Sequence, residues 1–115
     1  MEKGERPWGY WLTAVEEKNS FKIKLIYVDP GKRLSLQSHK HRSEHWVIVQ
    51  GKAKIQVGKD EHKLEKNQSI YIPKETLHRL ENIGEDKLVV IETQIGEYLE
   101  EDDIIRYEDD FNRCL

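Results

Sequence analysis

Residues 30–51 read PGKRLSLQSHKHRSEHWVIVQG and hold three of the chain's five histidines. Polar and apolar residues alternate over the first half, and this period of two predicts a strand whose one face carries Gln37, His39 and His41. The Arg42-Ser43 step breaks the alternation, and a second strand begins at Glu44 or His45 and ends before Gly51. Imidazole nitrogens, a carboxylate and an amide oxygen from neighbouring strands suit zinc, manganese, iron or cobalt. The stretch therefore predicts a metal site.

One short segment does not close such a site, so a further ligand should come from downstream. His78, in IPKETLHRLEN, is the candidate. A single histidine among lysines and arginines is more often solvated than bound to metal. Three histidines within residues 39–45, between two glycines and with a fourth before a later strand, favour ligation instead.

Length and composition limit the class of protein. A chain of 115 residues predicts one domain, residues 1–115. The net charge of −3 gives no general attraction for nucleic acid, and no apolar run approaches the roughly 20 residues of a membrane span. The start lacks the apolar core of a signal peptide, and the single cysteine, Cys114, offers no internal disulfide and no sulfur-rich metal site. We therefore expect a cytoplasmic location.

The rest of the chain reads as short strands separated by turns. Alternating or apolar runs predict strands at residues 21–28, 53–57, 61–64, 69–72, 78–82 and 87–94, about eight in all with the two strands of the histidine stretch. Their spacing is typical of an antiparallel sandwich or barrel. Residues 1–20 form an aromatic arm with Trp8 and Trp11, which should dock on the barrel or on a partner subunit. Residues 97–113 are acidic, and Asp102-Asp103 predicts the start of a short helix.

Two spaced motifs in these residues resemble those of the cupin superfamily, G-x5-H-x-H-x3,4-E-x6-G and G-x5-P-x-G-x2-H-x3-N. The first motif aligns with Gly31, Gln37 in place of a histidine, His39, Glu44 and Gly51. The second aligns with Pro73, His78 and Asn82, and it has Asn67 and Glu75 where the motif has glycines.

More narrowly, the block QSHKHRSEHW resembles the carboxyl-terminal isomerase domain of type II phosphomannose isomerases, which usually follows a mannose-1-phosphate guanylyltransferase. The resemblance implies an all-β, antiparallel cupin (jelly-roll) barrel with a short C-terminal helical segment. It also implies a metal-dependent isomerase that interconverts mannose 6-phosphate and fructose 6-phosphate through a cis-enediolate, for polysaccharide synthesis. This sequence departs from the family at Glu100 and at Phe111-Asn112. Both departures lie in the carboxyl-terminal segment, which the resemblance implies is a lid over the site.

The cupin spacing implies a first ligand set of Gln37, His39, Glu44 and His78 for a divalent metal ion, with zinc first and manganese, cobalt or iron as alternatives. The rival set is His39, His41, His45 and His78. In the isomerase reading, His41 on the inward face is either the general acid or base or a histidine that supports the site through a hydrogen bond, and Arg42 or Arg106 binds the phosphate of the sugar.

Two other functions remain open at this point. One is a small iron-dependent cupin dioxygenase, and the other is a non-catalytic, metal-containing subunit that binds a sugar phosphate for a separate nucleotidyltransferase. The chain has no room for a guanylyltransferase half of its own. By family analogy we expect a homodimer, with the aromatic arm as a candidate interface.

Overall fold

The computed structural model describes residues 2–111, and all of their regular structure is β-strand. The strands are β1 (Lys3–Arg6), β2 (Gly9–Glu17), β3 (Phe21–Val28), β4 (Leu36–Ser38), β5 (Arg42–Gln50), β6 (Ala53–Val57), β7 (Asp60–Leu64), β8 (Ser69–Ile72), β9 (His78–Asn82), β10 (Leu88–Gly96) and β11 (Ile105–Glu108). Within the described residues, no helix has the length and apolar character needed to cross a membrane. Cys114 and the end of the predicted 97–113 segment lie outside these residues.

The strands form two antiparallel sheets with one core between them. The first sheet has the order β1-β2-β3-β10-β5-β8, and the second has the order β11-β4-β9-β6-β7. The core combines Trp46 and Val90 of the first sheet with Ile55 and Leu80 of the second. The all-β antiparallel prediction is therefore confirmed, whereas the closed barrel is not, because the strands divide into two separate sheets.

Strand β3 has an unusual polarity. Its sequence FKIKLIYV alternates, and the buried positions are Lys22, Lys24, Ile26 and Val28. The two lysines therefore point inward, while the apolar residues between them lie on the outer face. Lys22 Nζ donates a hydrogen bond to the Leu99 carbonyl at 2.9 Å, and Lys24 Nζ lies 2.6 Å from a Glu101 carboxylate oxygen. These partners offset the cost of burying two ammonium groups.

The aromatic arm is part of the first sheet. Strands β1 and β2 form a hairpin, and β2 pairs with β3 over its whole length. Trp8 and Trp11 are only 5% and 8% exposed and belong to the core. The arm therefore docks on the strands of its own chain, and the apolar surface of these two tryptophans is already buried there.

The acidic carboxyl-terminal segment is not helical, and the predicted short helix is wrong. Asp103 does not start a helix, because its carboxylate accepts hydrogen bonds from the backbone N–H groups of Lys40 and His41, at 3.0 and 2.9 Å. Residues beyond it form β11, which pairs with β4. An aspartate carboxylate is stabilised in the first turn of a helix, and it is also stabilised when it accepts hydrogen bonds from backbone N–H groups of another segment. The local sequence therefore does not show which of the two arrangements Asp103 adopts.

The glycine positions of the two motifs have left-handed backbone conformations. The φ angles of Gly31 and Gly51 are 76° and 92°, and those of Asn67 and Glu75, which replace motif glycines, are 74° and 60°. Asparagine tolerates this region better than most residues, whereas glutamate does not. Glu75 therefore keeps the turn before His78 at a conformational cost.

Candidate metal centre and cavity

Three buried side chains from different parts of the chain converge between the sheets. His39 follows β4, Glu44 lies in β5 and His78 begins β9, so both sheets contribute. One ligand atom from each of these side chains lies within 4.8 Å of the others. All three residues are buried.

Backbone carbonyls fix the proton positions on both imidazoles. His39 Nδ1 lies 2.6 Å from the Asp103 carbonyl oxygen, and His78 Nδ1 lies 2.9 Å from the Thr76 carbonyl oxygen. Because a carbonyl oxygen only accepts, each Nδ1 carries a hydrogen, and in the neutral form of the ring Nε2 is the nitrogen with the lone pair. This is the arrangement by which proteins orient a histidine for a metal ion.

The ligand atoms of His39 and Glu44 lie close enough together to share one cation. His39 Nε2 lies 3.2 Å from Glu44 Oε2, and ligand atoms about 2.1 Å from a tetrahedral zinc ion lie about 3.4 Å apart. Arg42 supplies a positive charge from the chain itself: its Nε donates to Glu44 Oε2 at 2.8 Å, and its Nη2 lies 3.3 Å from His39 Nε2.

The protonation states of these groups suit metal binding. Burial, the largest single influence, opposes the charged form of Glu44, but the charges of Arg42 and His78 and the hydrogen bonds to the carboxylate together outweigh burial and hold the pKa of this carboxyl near 2. Burial and then the charge of Arg42 lower the pKa of His39 to about 3. At neutral pH the site therefore presents a carboxylate and a neutral imidazole, which are the forms that coordinate metal ions.

Glu92 joins this cluster and was missed by the sequence analysis. Trp46 Nε1 donates to Glu44 Oε1 at 2.9 Å and to Glu92 Oε2 at 3.1 Å, and Gln94 Nε2 donates to Glu92 Oε1 at 2.6 Å. Burial and the neighbouring Glu44 raise the pKa of Glu92 to about 7. The signal was available in the sequence, because the period of two places Glu92 and Gln94 on the same face of β10 as Val90.

A cavity of about 110 Å³ opens beside the cluster. Its charged lining has four cationic residues and two acidic ones, namely Arg6, Lys24, Arg42, Arg106, Glu92 and Glu101. The excess of positive charge favours an anionic ligand. Part of the cavity wall is apolar and consists of Trp8, Trp11 and Ile104, so the cavity can also hold the carbon skeleton of a ligand.

The other predicted ligand, Gln37, also lines the cavity. It lies directly opposite His78 in the pairing of β4 with β9, so the two side chains share a face of the sheet. Its Nε2 donates to Ser35 Oγ at 3.0 Å, which leaves the amide oxygen as the group that can coordinate. Arg106 pairs with Gln37 from the other side, in β11. Coordination by Gln37 and phosphate binding by Arg106 stay predictions.

His41 and His45 lie away from the cluster. His41 is exposed, with its ring edge-on to Tyr98 at 5.5 Å, and His45 is exposed beside Tyr71 at 4.7 Å. The inward orientation expected for His41 is wrong, because the bonds from Lys40 and His41 to Asp103 turn the backbone and end the alternation of β4. Within residues 2–111, the rival four-histidine set is therefore not brought together.

Solved structures with the same fold include known cupins. The cupin domain of Cnp3 from Schizosaccharomyces pombe superposes with a TM-score of 0.74 at 20% identity, over 76% of this chain and 64% of that one. The capsular polysaccharide assembling protein CapF from Staphylococcus aureus gives a TM-score of 0.81 at 19% identity, over 93% of this chain and 34% of that one. The fold is therefore that of the cupins.

Relatives of high identity are much longer proteins. Xanthan biosynthesis protein XanB from Xanthomonas campestris is 47% identical over 108 residues, which are 94% of this chain and 23% of XanB. Mannose-1-phosphate guanylyltransferase from Escherichia coli is 45% identical and alginate biosynthesis protein AlgA from Pseudomonas aeruginosa is 48% identical, each over 94% of this chain and 22% of the relative. The chain thus spans less than a quarter of the length of these relatives.

These names contradict the expected function. The relatives are named for guanylyl transfer and polysaccharide biosynthesis, and most of their length has no counterpart here. The expectation that this chain by itself interconverts mannose 6-phosphate and fructose 6-phosphate through a cis-enediolate therefore does not follow from them. None of these three relatives is named as an oxygenase. The narrower resemblance is confirmed, since the profile of the family described as Mannose-6-phosphate isomerase C-terminal matches residues 2–109. The chain therefore belongs to the mannose-6-phosphate isomerase C-terminal family.

Proposed function

We propose that residues 1–115 work as one metal-binding cupin module of the sugar-phosphate isomerase class, acting on a phosphorylated mannose in company with a mannose-1-phosphate guanylyltransferase. The proposed ligands are His39, Glu44 and His78, with Gln37 as the fourth and zinc as the first choice of metal. The observation that supports this most is the convergence of two tautomer-fixed imidazoles and a carboxylate at the wall of a cationic cavity.

A divalent ion held there would act as a Lewis acid on an oxygen of the sugar. The chain's own residues would do the rest of the binding. Arg106 and Lys24 line the same cavity and would attract a phosphate group, and arginine offers the planar fork that suits phosphate. Glu101 and Ile104, from the carboxyl-terminal segment, line the same cavity and would limit access of water.

The test is metal binding followed by sugar-phosphate binding. Protein stripped with a chelator is dialysed against zinc, manganese, cobalt or iron, and bound metal is measured by elemental analysis. We expect one ion per chain in the native protein, almost none in His78→Ala, and one in His45→Ala. His45 is the matched control because it is an exposed histidine on the outer face of β5.

The metal-loaded protein is then titrated with mannose 6-phosphate and mannose 1-phosphate by calorimetry, and product formation is followed by phosphorus NMR. Binding of either compound that requires the metal, and that weakens in Arg106→Leu, supports the proposal. Normal metal loading with no affinity for either mannose phosphate would refute it. Equal metal loading of His78→Ala and the native protein would refute the assigned ligands.

A further inference from the structure

The two inward lysines of β3 differ in the kind of group that they contact. Lys22 Nζ donates a hydrogen bond to the backbone carbonyl of Leu99, and a Glu16 carboxylate oxygen lies 3.6 Å away, beyond hydrogen-bond distance. Lys24 Nζ lies 2.6 Å from a carboxylate oxygen of Glu101. Lys24 lines the cavity beside the metal centre, whereas Lys22 does not. Of the two lysines, the one that faces the cavity therefore has an anion as its hydrogen-bond partner.

Glu101 is much less enclosed than the lysine that it contacts. The side chain of Lys24 is 5% exposed, and that of Glu101 is 46% exposed. Glu101 lies in a turn between β10 and β11, outside the strands, and the backbone N–H of Asp103 closes this turn by donating to the Glu100 carbonyl. Rotation of the Glu101 side chain can therefore move its carboxylate into solvent without breaking a strand pair, while Lys24 stays in place.

Lys24 needs another anion whenever Glu101 leaves. Its ammonium group lies 3.9 Å from the centroid of the Trp11 ring, and no other carboxylate of residues 2–111 forms an ion pair with it. A buried charge without a partner is costly. A neutral ligand does not remove this cost, whereas the oxygens of a phosphate group accept charge-assisted hydrogen bonds from the same ammonium.

The position of the Glu101 carboxylate favours negative charge. Burial opposes ionisation of Glu101, but the charge of Lys24, the hydrogen bond from Lys24 and the charge of Arg42 together lower the pKa of this carboxyl. Lys24, Arg42 and Glu101 all line the cavity. The carboxylate therefore lies where an anionic ligand of the cavity would find two cations.

We infer that Glu101 is an internal competitor for the anionic ligand of the cavity: its carboxylate contacts Lys24 in the unliganded chain, and a phosphate group binds by displacing it. This inference rests on the proposed function for the phosphate ligand and adds a form of regulation to the same site. Inorganic phosphate has only its charge and hydrogen bonds with which to displace Glu101. A sugar phosphate also contacts the apolar wall of Trp8 and Trp11, so it displaces Glu101 more readily.

Binding of inorganic phosphate to the full chain, measured by calorimetry, tests this inference. Glu101→Gln keeps the size of the side chain and removes its charge. Because a half-exposed ion pair competes less strongly than a buried one, this variant should lower the dissociation constant for phosphate about tenfold. Glu100→Gln is the matched control, since Glu100 is an exposed acid of the same turn that does not line the cavity. It should keep the native dissociation constant.

Two further measurements show whether the exchange takes place at Lys24. The effect of Glu101→Gln on phosphate affinity should vanish when it is combined with Lys24→Met. In the native chain, the carboxyl carbon resonance of Glu101 should shift as phosphate is added, and that of Glu100 should not. The resonance measurement requires no substitution, so it tests the inference even if circular dichroism shows that a variant is unfolded.

Native phosphate affinity in folded Glu101→Gln overturns the inference, as does an equal increase in Glu100→Gln or an increase that persists with Lys24→Met. Absence of phosphate binding to both the native chain and Glu101→Gln also overturns it. If the native chain binds a mannose phosphate but Glu101→Gln binds phosphate with native affinity, the inference fails and the proposed function stands. If Glu101→Gln binds phosphate more tightly but no form of the chain binds a mannose phosphate, the inference stands and the proposed function fails.

Discussion

Arg42 and a metal ion compete for the same atoms, so replacing Arg42 with leucine should tighten metal binding. A neutral imidazole nitrogen has one lone pair, and the lone pair of His39 Nε2 faces Arg42 Nη2 at 3.3 Å. Metal coordination by His39 therefore requires that this contact be given up. The same ion would also take Glu44 Oε2, which accepts the Arg42 Nε hydrogen at 2.8 Å.

The size of the effect follows from the two contacts. A hydrogen bond between charged groups contributes about 1.5–3 kcal/mol to stability, and the longer contact to His39 adds little. If displacing Arg42 costs the metal ion about 2 kcal/mol, the Arg42→Leu protein should have a metal dissociation constant about 30-fold lower than the native protein. The metal-free Arg42→Leu protein should meanwhile lose about 3 kcal/mol of unfolding free energy, because Glu44 becomes a buried carboxylate without its cation.

Competition with a chromophoric chelator gives the metal dissociation constant, and urea unfolding gives the stability. The control is Arg79→Leu. Arg79 is as buried as Arg42, at 6% exposure, but it bonds to the Leu34 carbonyl and to Glu108 on the other side of the second sheet. Arg79→Leu should lose stability and keep the native metal affinity.

The competition would be refuted if folded Arg42→Leu bound metal with native or weaker affinity. Weaker binding would mean that Arg42 holds Glu44 in the orientation for coordination. Native affinity would mean that the ion and the guanidinium occupy separate positions around the carboxylate.

Three further predictions concern residues around the centre. Glu75→Gly should raise the unfolding free energy by about 0.5 kcal/mol by relieving a left-handed φ, whereas Glu85→Gly, at an exposed site without a positive φ, should lower it in the same urea titration. In metal-free protein, Glu92→Gln should be more stable than native at about pH 8 and similar at about pH 5. The pKa of Glu92 in the folded chain lies above its value in the unfolded chain, so the native chain loses stability as pH rises from about 4.5 through 7. Unfolding temperatures of both proteins measured across this pH range check the prediction. Asp103→Ala should weaken metal binding about tenfold by loosening His39, and the exposed Asp102→Ala should leave chelator competition unchanged.

The strands and the three converging residues were predictable because their signals are local. Prolines and glycines end the runs that became β3, β6, β8 and β9, and the bounds of these four strands match the prediction. Motif spacing selected His39, Glu44 and His78, which the structure brings together. Alternation along β5 also required that His45 point outward if Glu44 points inward, as observed.

The errors arose where local sequence admits two outcomes and a distant contact decides between them. Asp103 can start a helix, and its carboxylate can equally accept hydrogen bonds from the backbone N–H groups of residues 40–41. Only the folded chain brings residues 40–41 within reach of Asp103. The period of two places Glu92 on the inner face of β10, but its position beside Glu44 depends on the pairing of β10 with β5. The inward positions of Lys22 and Lys24, which were not predicted, are stabilised by Leu99 and Glu101, each 77 residues further along the chain.

The bond between His39 and the Asp103 carbonyl has a consequence for the order in which the centre matures. These residues are 64 positions apart, and Asp103 is synthesised after every proposed ligand. A chain still on the ribosome therefore exposes His39 and Glu44 before the group that sets the His39 tautomer exists. Selective metal loading should accordingly be a late event in the life of each molecule, completed when the acidic segment reaches the turn between β4 and β5.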